Sequence, residues 1–198
     1  PFAEVSQGSG DGRIAITYGA PPAKPAPEPE AAAGPLRWTH AHADVTISED
    51  GALAAGNAGT WRSAVCGEVL QAEGEAYAEF TCQMQGNNVM VGVARAGVDP
   101  SLVLDRGLRN AADGRMYHCR YGGYYHNGSP TSWASHEWEA IEDGGTVGLL
   151  LRRGSLSVHI GGRQVGVLCT GLTGALVWAT DLHFSGASVR IVRKPPPA

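Results

Sequence analysis

From Glu75 to Met84 the chain alternates strictly. Ala76, Ala78, Phe80, Cys82 and Met84 interleave with Glu75, Tyr77, Glu79, Thr81 and Gln83. Only an extended backbone sends successive side chains to opposite faces, so this segment is a strand with one face on a core and the other in water. The same period sets Leu156, Val158 and Ile160 against Ser155, Ser157 and His159, and places Val147, Leu149 and Leu151 on one face with Leu150 behind. Val89–Ala94 (Val-Met-Val-Gly-Val-Ala) reads as a strand covered on both sides. Gly and Asn-Gly punctuation separates these runs at hairpin intervals.

Composition agrees with an all-β reading. Glycine is 28 of 198 residues, roughly twice the usual share, and proline adds 12. With only 17% charged residues, the chain is poorly suited to a helical bundle or coiled coil. The single helical signal is short: Asp99-Pro100-Ser101-Leu102, an N-cap followed by proline. The expectation is ten to thirteen antiparallel strands in a two-sheet β-sandwich. At 43% hydrophobic residues the chain can bury a sizeable core.

Several function classes lose support. A net charge of −4 provides no basic footprint for nucleic acid. No apolar run approaches the ~20 residues of a membrane-spanning helix. There is no Gly-x-Ser-x-Gly elbow, P-loop or Gly-x-Gly-x-x-Gly, so serine-hydrolase and nucleotide chemistry have no motif to rest on. Cys66, Cys82, Cys119 and Cys169 lack metal-ribbon spacing and are read as free thiols buried as small hydrophobes. The chain begins at Pro1 with no visible signal peptide. That reads as a fragment or a chain matured by cleavage, in the cytoplasm or, after precursor cleavage, in an organelle.

Residues 20–35 hold six prolines and nothing larger than Lys or Glu. Such a stretch cannot offset its ordering entropy by burial. Residues 1–36 are therefore assigned to an extended Ala/Pro-rich arm, with Arg13–Tyr18 able to form a short strand. Residues 37–194 form the sandwich, and 195–198 a tail.

Gly74-Glu-Ala-Tyr77-Ala-Glu-Phe80 precedes Met90-Val-Gly-Val-Ala94. Then come Arg115-Met-Tyr-His118, Gly144–Leu151, Gly154-Ser-Leu-Ser-Val-His-Ile-Gly-Gly162, Leu172–Ala179 and Ser188-Val-Arg-Ile191. This order of runs resembles SPRY domains. The Gly-x-Leu-x-x-x-Ile-Gly-Gly and Val-Arg-Ile pieces look closest to SPRY domains found with SOCS boxes. Departures are Gly144-Gly145 in place of Gly-Asp, Leu151-Arg152-Arg153 in place of Leu-Asp, and a short stretch between Val93 and Met116. The resemblance implies a concanavalin A-like jelly roll that binds a protein or short peptide through loops at one end. It implies no catalysis, cofactor or metal. Carried over by motif, the contact residues are His183, Phe184 and Ser185, with Phe184 where SOCS-box members have a tryptophan. Arg95, Asp105 and Arg106 follow from the loop after Val93.

Three constellations stand beside this. Tyr117–Asn127 concentrates tyrosines, which give large amphipathic contact area at low entropic cost, and adds Tyr121 and Tyr124 to the candidate surface. The alternatives for this stretch are core filling and sugar stacking. Glu137–Asp143 loosely resembles the carboxylate strand of lectin-like glycosidases, but reads better as an acidic loop with Trp138 and Ile141 packed inward. His40 and His42 share a strand face without a third ligand. The other classes of function are a glycan-binding or glycan-cleaving lectin-like sandwich, and an accessory subunit of a larger assembly with residues 1–35 lying over neighbours.

Overall fold

The computed structural model describes residues 34–86, 88–103, 107–111, 114–131 and 139–197. Most of the arm, with Arg13–Tyr18, lies outside these residues. The first strands are β1 (Trp38–Ala41), β2 (Val45–Ile47), β3 (Leu53–Gly56), β4 (Trp61–Cys66) and β5 (Leu70–Gln71). The middle of the chain supplies β6 (Glu75–Gln83), β7 (Asn88–Arg95), β8 (Arg115–His118), β9 (Gly123–His126) and β10 (Ser129–Thr131). The last five are β11 (Thr146–Arg152), β12 (Ser155–Ile160), β13 (Arg163–Cys169), β14 (Ala175–His183) and β15 (Ser188–Arg193).

These fifteen strands of the described residues form two antiparallel sheets. The eight-stranded sheet runs β1-β4-β14-β7-β8-β9-β10, with β5 also on β14, and the seven-stranded sheet runs β13-β12-β11-β6-β15-β3-β2. The all-β, two-sheet expectation therefore holds. The strand number exceeds the expected range because β2, β5 and β10 are two or three residues long, too short to carry a readable period.

The core is the interface between the sheets. Phe80 of β6 meets Trp178 of β14 edge-on at 5.8 Å, and Trp38 of β1 leans on Phe80 at 6.3 Å. The Trp38 indole N–H donates to the Val189 carbonyl at 3.2 Å, tying the edge strand of one sheet to the centre of the other. Leu36 is also buried in this core, one residue ahead of the boundary read from the sequence. Cys66, Cys82 and Cys119 are buried and Cys169 is half-buried; the Cys82 and Cys119 sulfurs lie 3.6 Å apart across the sheets.

Alternation predicts the inner face well and the outer face less well. Tyr77, Leu150, Ser157 and His159 point away from the core yet are buried. The Tyr77 ring lies across Gly148, where any Cβ would collide with its hydroxyl, and meets His159 edge-on at 5.8 Å. A glycine on β11 thus makes room for a ring that covers its own sheet.

β7 is buried on both faces. Val89, Val91 and Val93 face the inter-sheet core, while Met90 and Ala94 join Trp61, Leu108 and Met116 in a second apolar layer on the outside of the eight-stranded sheet. Two 3₁₀ turns, Pro100–Leu102 and Leu108–Asn110, lie along the chain between β7 and β8, and Leu108 enters that outer layer. The first begins as expected, with Asp99 accepting from the Ser101 amide at 2.9 Å.

Phe80→Ala removes the ring on which both tryptophans rest, and should cost about 3–5 kcal/mol by leaving a cavity. Gly92→Ala should cost about 1–3 kcal/mol, because a Cβ there strikes the Arg115 carbonyl of the neighbouring strand. Urea denaturation of both variants measures these losses.

Candidate functional site

Along β14 the outward side chains are Val177, Ala179, Asp181 and His183, and the last two organise one end of the outer face. Asp181 is fully buried. Its carboxylate accepts from the Ser63 hydroxyl at 2.6 Å and from the backbone amides of Leu108 and Arg109, each at 2.9 Å. Burial pushes its pKa up, opposed first by the Ser63 hydrogen bond and then by the two amides. Gly107 is required beside it: its φ is +70°, and a Cβ would strike the carboxylate.

That clamp sets the Arg109 guanidinium 4.3 Å above the Trp61 ring and 5.8 Å from Tyr125. His183 stacks on Trp61 at 4.6 Å with planes 25° apart. Phe184 follows, edge-on to His183 at 3.9 Å, 42% exposed and held at φ +73°. A non-glycine residue in the left-handed region is uncommon, and here it turns an apolar ring outward.

Opposite, His118 of β8 lies beneath Tyr121 at 4.6 Å, with Tyr125 at 5.7 Å and the edge of Trp61 at 6.3 Å. Tyr121 is 53% exposed, and the Arg120 guanidinium lies 5.5 Å from its ring while donating to the Gly86 carbonyl. The pKa of His118 falls to about 4, by burial first and then by the Arg109 charge; that of His183 falls for the same two reasons. Both imidazoles are neutral at pH 7. The Nδ1 atoms of His118 and His183 and the Oδ1 of Asn88 are buried with no hydrogen-bond partner among the described residues.

Of the residues named from the sequence, Tyr121, His183, Phe184 and Ser185 come together at this end. Tyr124 does not: β9 alternates, so Tyr125 faces out while Tyr124, 6% exposed, fills the inter-sheet core. Arg95 lies at the other end. It pairs in register with Leu176 where His183 pairs with Asn88, a separation of seven residues or about 24 Å along the strands. There it donates to the Thr173 carbonyl. Asp105 and Arg106 lie outside the described residues. Trp61, Arg109, His118 and Tyr125 were missed; only the tyrosine concentration pointed near them, because their meeting depends on strands far apart in sequence.

The other candidate constellations have local roles. Glu137 and Trp138 lie outside the described residues. The Glu139 carboxylate takes both oxygens to Arg163 at 2.6 and 2.9 Å, its carbonyl accepts from Tyr117, and Asp143 accepts from the Met84 and Gln85 amides. Ile141 is buried, as the acidic-loop reading requires. His40 bonds Thr39, and His42 accepts from the Asp44 amide at 3.1 Å. Among the described residues no group of three or more His, Cys, Asp or Glu side chains could hold a metal. At the Arg95 end a cleft of about 430 Å³ is lined by Val65, Val69, Val98, Pro100 and Val177.

No protein-family model matches the chain, and no curated protein does. Solved structures are similar to it. The SPRY domain of human HERC1 superimposes with a TM-score of 0.65 at 18% identity, over 80% of this chain and 97% of that one. The PSpry domain of TRIM65 gives 0.60 at 12% identity, over 80% and 92%. The NHR1 domain of Neuralized from Drosophila melanogaster gives 0.57 at 14% identity, over 82% and 100%. The chain has the SPRY-type sandwich fold.

His118 provides a pH signature for this site. Its native pKa is about 4 against an unfolded value near 6.5, so between those values the unfolded chain binds more protons. Stability is full above about pH 6.5 and falls as pH drops toward 4. The loss should be on the order of 2–3 kcal/mol, and His118→Gln should flatten that slope. Chemical denaturation across pH 7 to 4 measures it.

Proposed function

We propose that this chain is a non-catalytic protein-interaction module that grips an extended segment of a partner at the Phe184 end of the sandwich. The observation that carries the reading is the chain of contacts from exposed Phe184 through His183, buried Trp61 and Arg109 to Tyr125, with exposed Tyr121 on its other rim. Aromatic and arginine side chains supply most of the binding energy where partners meet. Tyrosine and phenylalanine present that area with few rotors to freeze, so little entropy is lost on contact.

The neighbouring turns add backbone to the side chains. The 184–187 and 84–86 segments approach one another, since a Cβ at Gly186 would strike the Gln85 side chain. Such an end can offer main-chain hydrogen bonds to an extended peptide, with the Phe184 ring as its apolar anchor. The SPRY-type fold supports the interaction-module reading, and the SPRY resemblance is what first pointed to the Phe184 turn. The contact set is accordingly Tyr121, His183, Phe184 and Ser185, joined by Arg109, with buried Trp61 supporting Arg109 and His183 from beneath. Arg95 stands outside it.

Affinity capture from lysate with quantitative mass spectrometry tests this, comparing the native chain with the Phe184→Ala/Tyr121→Ala double variant. Both side chains are largely exposed, so the melting temperature should stay within a few degrees. Capture of specific partners should fall by roughly tenfold or more. Arg95→Ala, at the far end, should capture normally. Unchanged capture by the folded double variant would overturn the site.

A further inference from the structure

Resting on that reading, we infer that the same end contains a subsite for an anionic side chain of the partner, built from Arg109, Arg120, His118 and His183, and that filling it draws a proton from solvent onto one of the two imidazoles. Three features of the geometry lead there. Buried polar atoms without partners cost about 1–3 kcal/mol each, and native structures rarely keep them without a use. Here three such atoms, on His118, His183 and Asn88, gather at one end of one sheet face. His183 and Asn88 are direct register partners, and His118 is paired with Met90, two residues further along β7.

The second feature is charge. His118 is faced by Arg109 from the 3₁₀ turn, by Arg120 and Tyr121 from the β8–β9 turn, by Tyr125 from β9, by Trp61 from β4 and by His183 from β14. His183 is faced by Trp61, Phe184 and Arg109. Asp181 is the carboxylate on the same strand, and its oxygens are engaged by Ser63 and two backbone amides. Arg109 therefore acts on both neutral imidazoles as well as on Asp181, Arg120 acts on His118 alone, and both imidazoles are held below their ordinary pKa partly by Arg109. An anion placed among them reverses that balance, because an opposite charge within about 4–6 Å favours the protonated imidazole.

The third feature is access. His118 is 3% exposed, and Tyr121, more than half exposed, is the ring over it. Filling the subsite requires the Tyr121 ring to turn aside from His118, and that exposed ring then packs on the ligand. The Asn88 Oδ1 is an acceptor, suited to a backbone N–H of an extended peptide. An oxyanion for the imidazole and an amide for Asn88 are what one acidic residue of a peptide supplies together.

The probe is a set of N-acetylated, C-amidated pentapeptides, Ala-Ala-X-Ala-Ala, at millimolar concentration, with X as Asp, Asn, phosphoserine or Ser. The readout is the ¹⁵N spectrum of the imidazoles in the full chain across about pH 3.5 to 8. The Asp peptide should shift the His118 or His183 resonances and raise the protonation midpoint of one of them by about one unit. Its affinity should strengthen on acidification, by up to about tenfold in total for a one-unit rise, and Asn should do neither. Arg120→Gln, on an exposed turn, should weaken the Asp peptide without lowering the melting temperature. A stronger response to phosphoserine than to Asp, with the same imidazole shift, would identify a phosphorylated partner as the source of the anion. Equal responses to Asp and Asn, or none to any peptide, would overturn the subsite. The capture experiment with the double variant is independent of it: partners lost there with no Asp preference here leaves the interaction surface standing and removes the subsite alone.

Discussion

A carboxylate withdrawn from water must find its hydrogen bonds in the protein, and Asp181 finds them in two places at once. Ser63 lies beside it within the sheet, and the amides of Leu108 and Arg109 reach down from the segment above. One buried side chain thereby fixes how the 107–110 turn lies over the outer face. Leu108 is pressed into the second apolar layer, and Arg109 is carried to the Trp61 ring. Leaving such an acceptor unpaired would be costly, so the turn and the strand are held together by more than apolar contact.

β14 has a part in nearly everything this sheet does. It sits between β4 and β7 in the sheet. Its inward side brings Trp178 to Phe80, where the two sheets meet. Its outward side carries Asp181 and then His183, and the chain leaves it through Phe184 at a positive φ. Core and surface are thus two faces of one strand, offset by a single residue. The separation is physically useful: the apolar interface supplies rigidity, and a rigid sheet can hold rings and guanidiniums at an end without paying to order them on contact.

The sandwich itself was legible because a sheet with one buried face imprints a period of two on each long strand, as in Glu75–Met84. Short edge strands such as β5 left no such imprint. The outer face was harder for a related reason. Tyr77 occupies a solvent-side register position yet is buried, because Gly148 on the neighbouring strand leaves space for its ring. Alternation tells which face a side chain takes, but not what the adjacent strand places beside it.

The same limit explains the site. Local sequence pointed to the Phe184 turn and the tyrosine-rich hairpin as candidates, since both are contiguous and chemically distinctive. It misplaced Tyr124, because a one-residue difference in register separates that ring from outward-facing Tyr125. It also grouped Arg95 with His183, although the antiparallel register of β7 and β14 sets them at opposite ends. What the sequence by itself determined was the period, and through the period the fold class and most of the inner face. Which rings meet at one end, and which charges face them, was decided only by tertiary structure, because strand order and register bring Trp61, the Arg109–His118 stretch and His183 together from three distant parts of the chain.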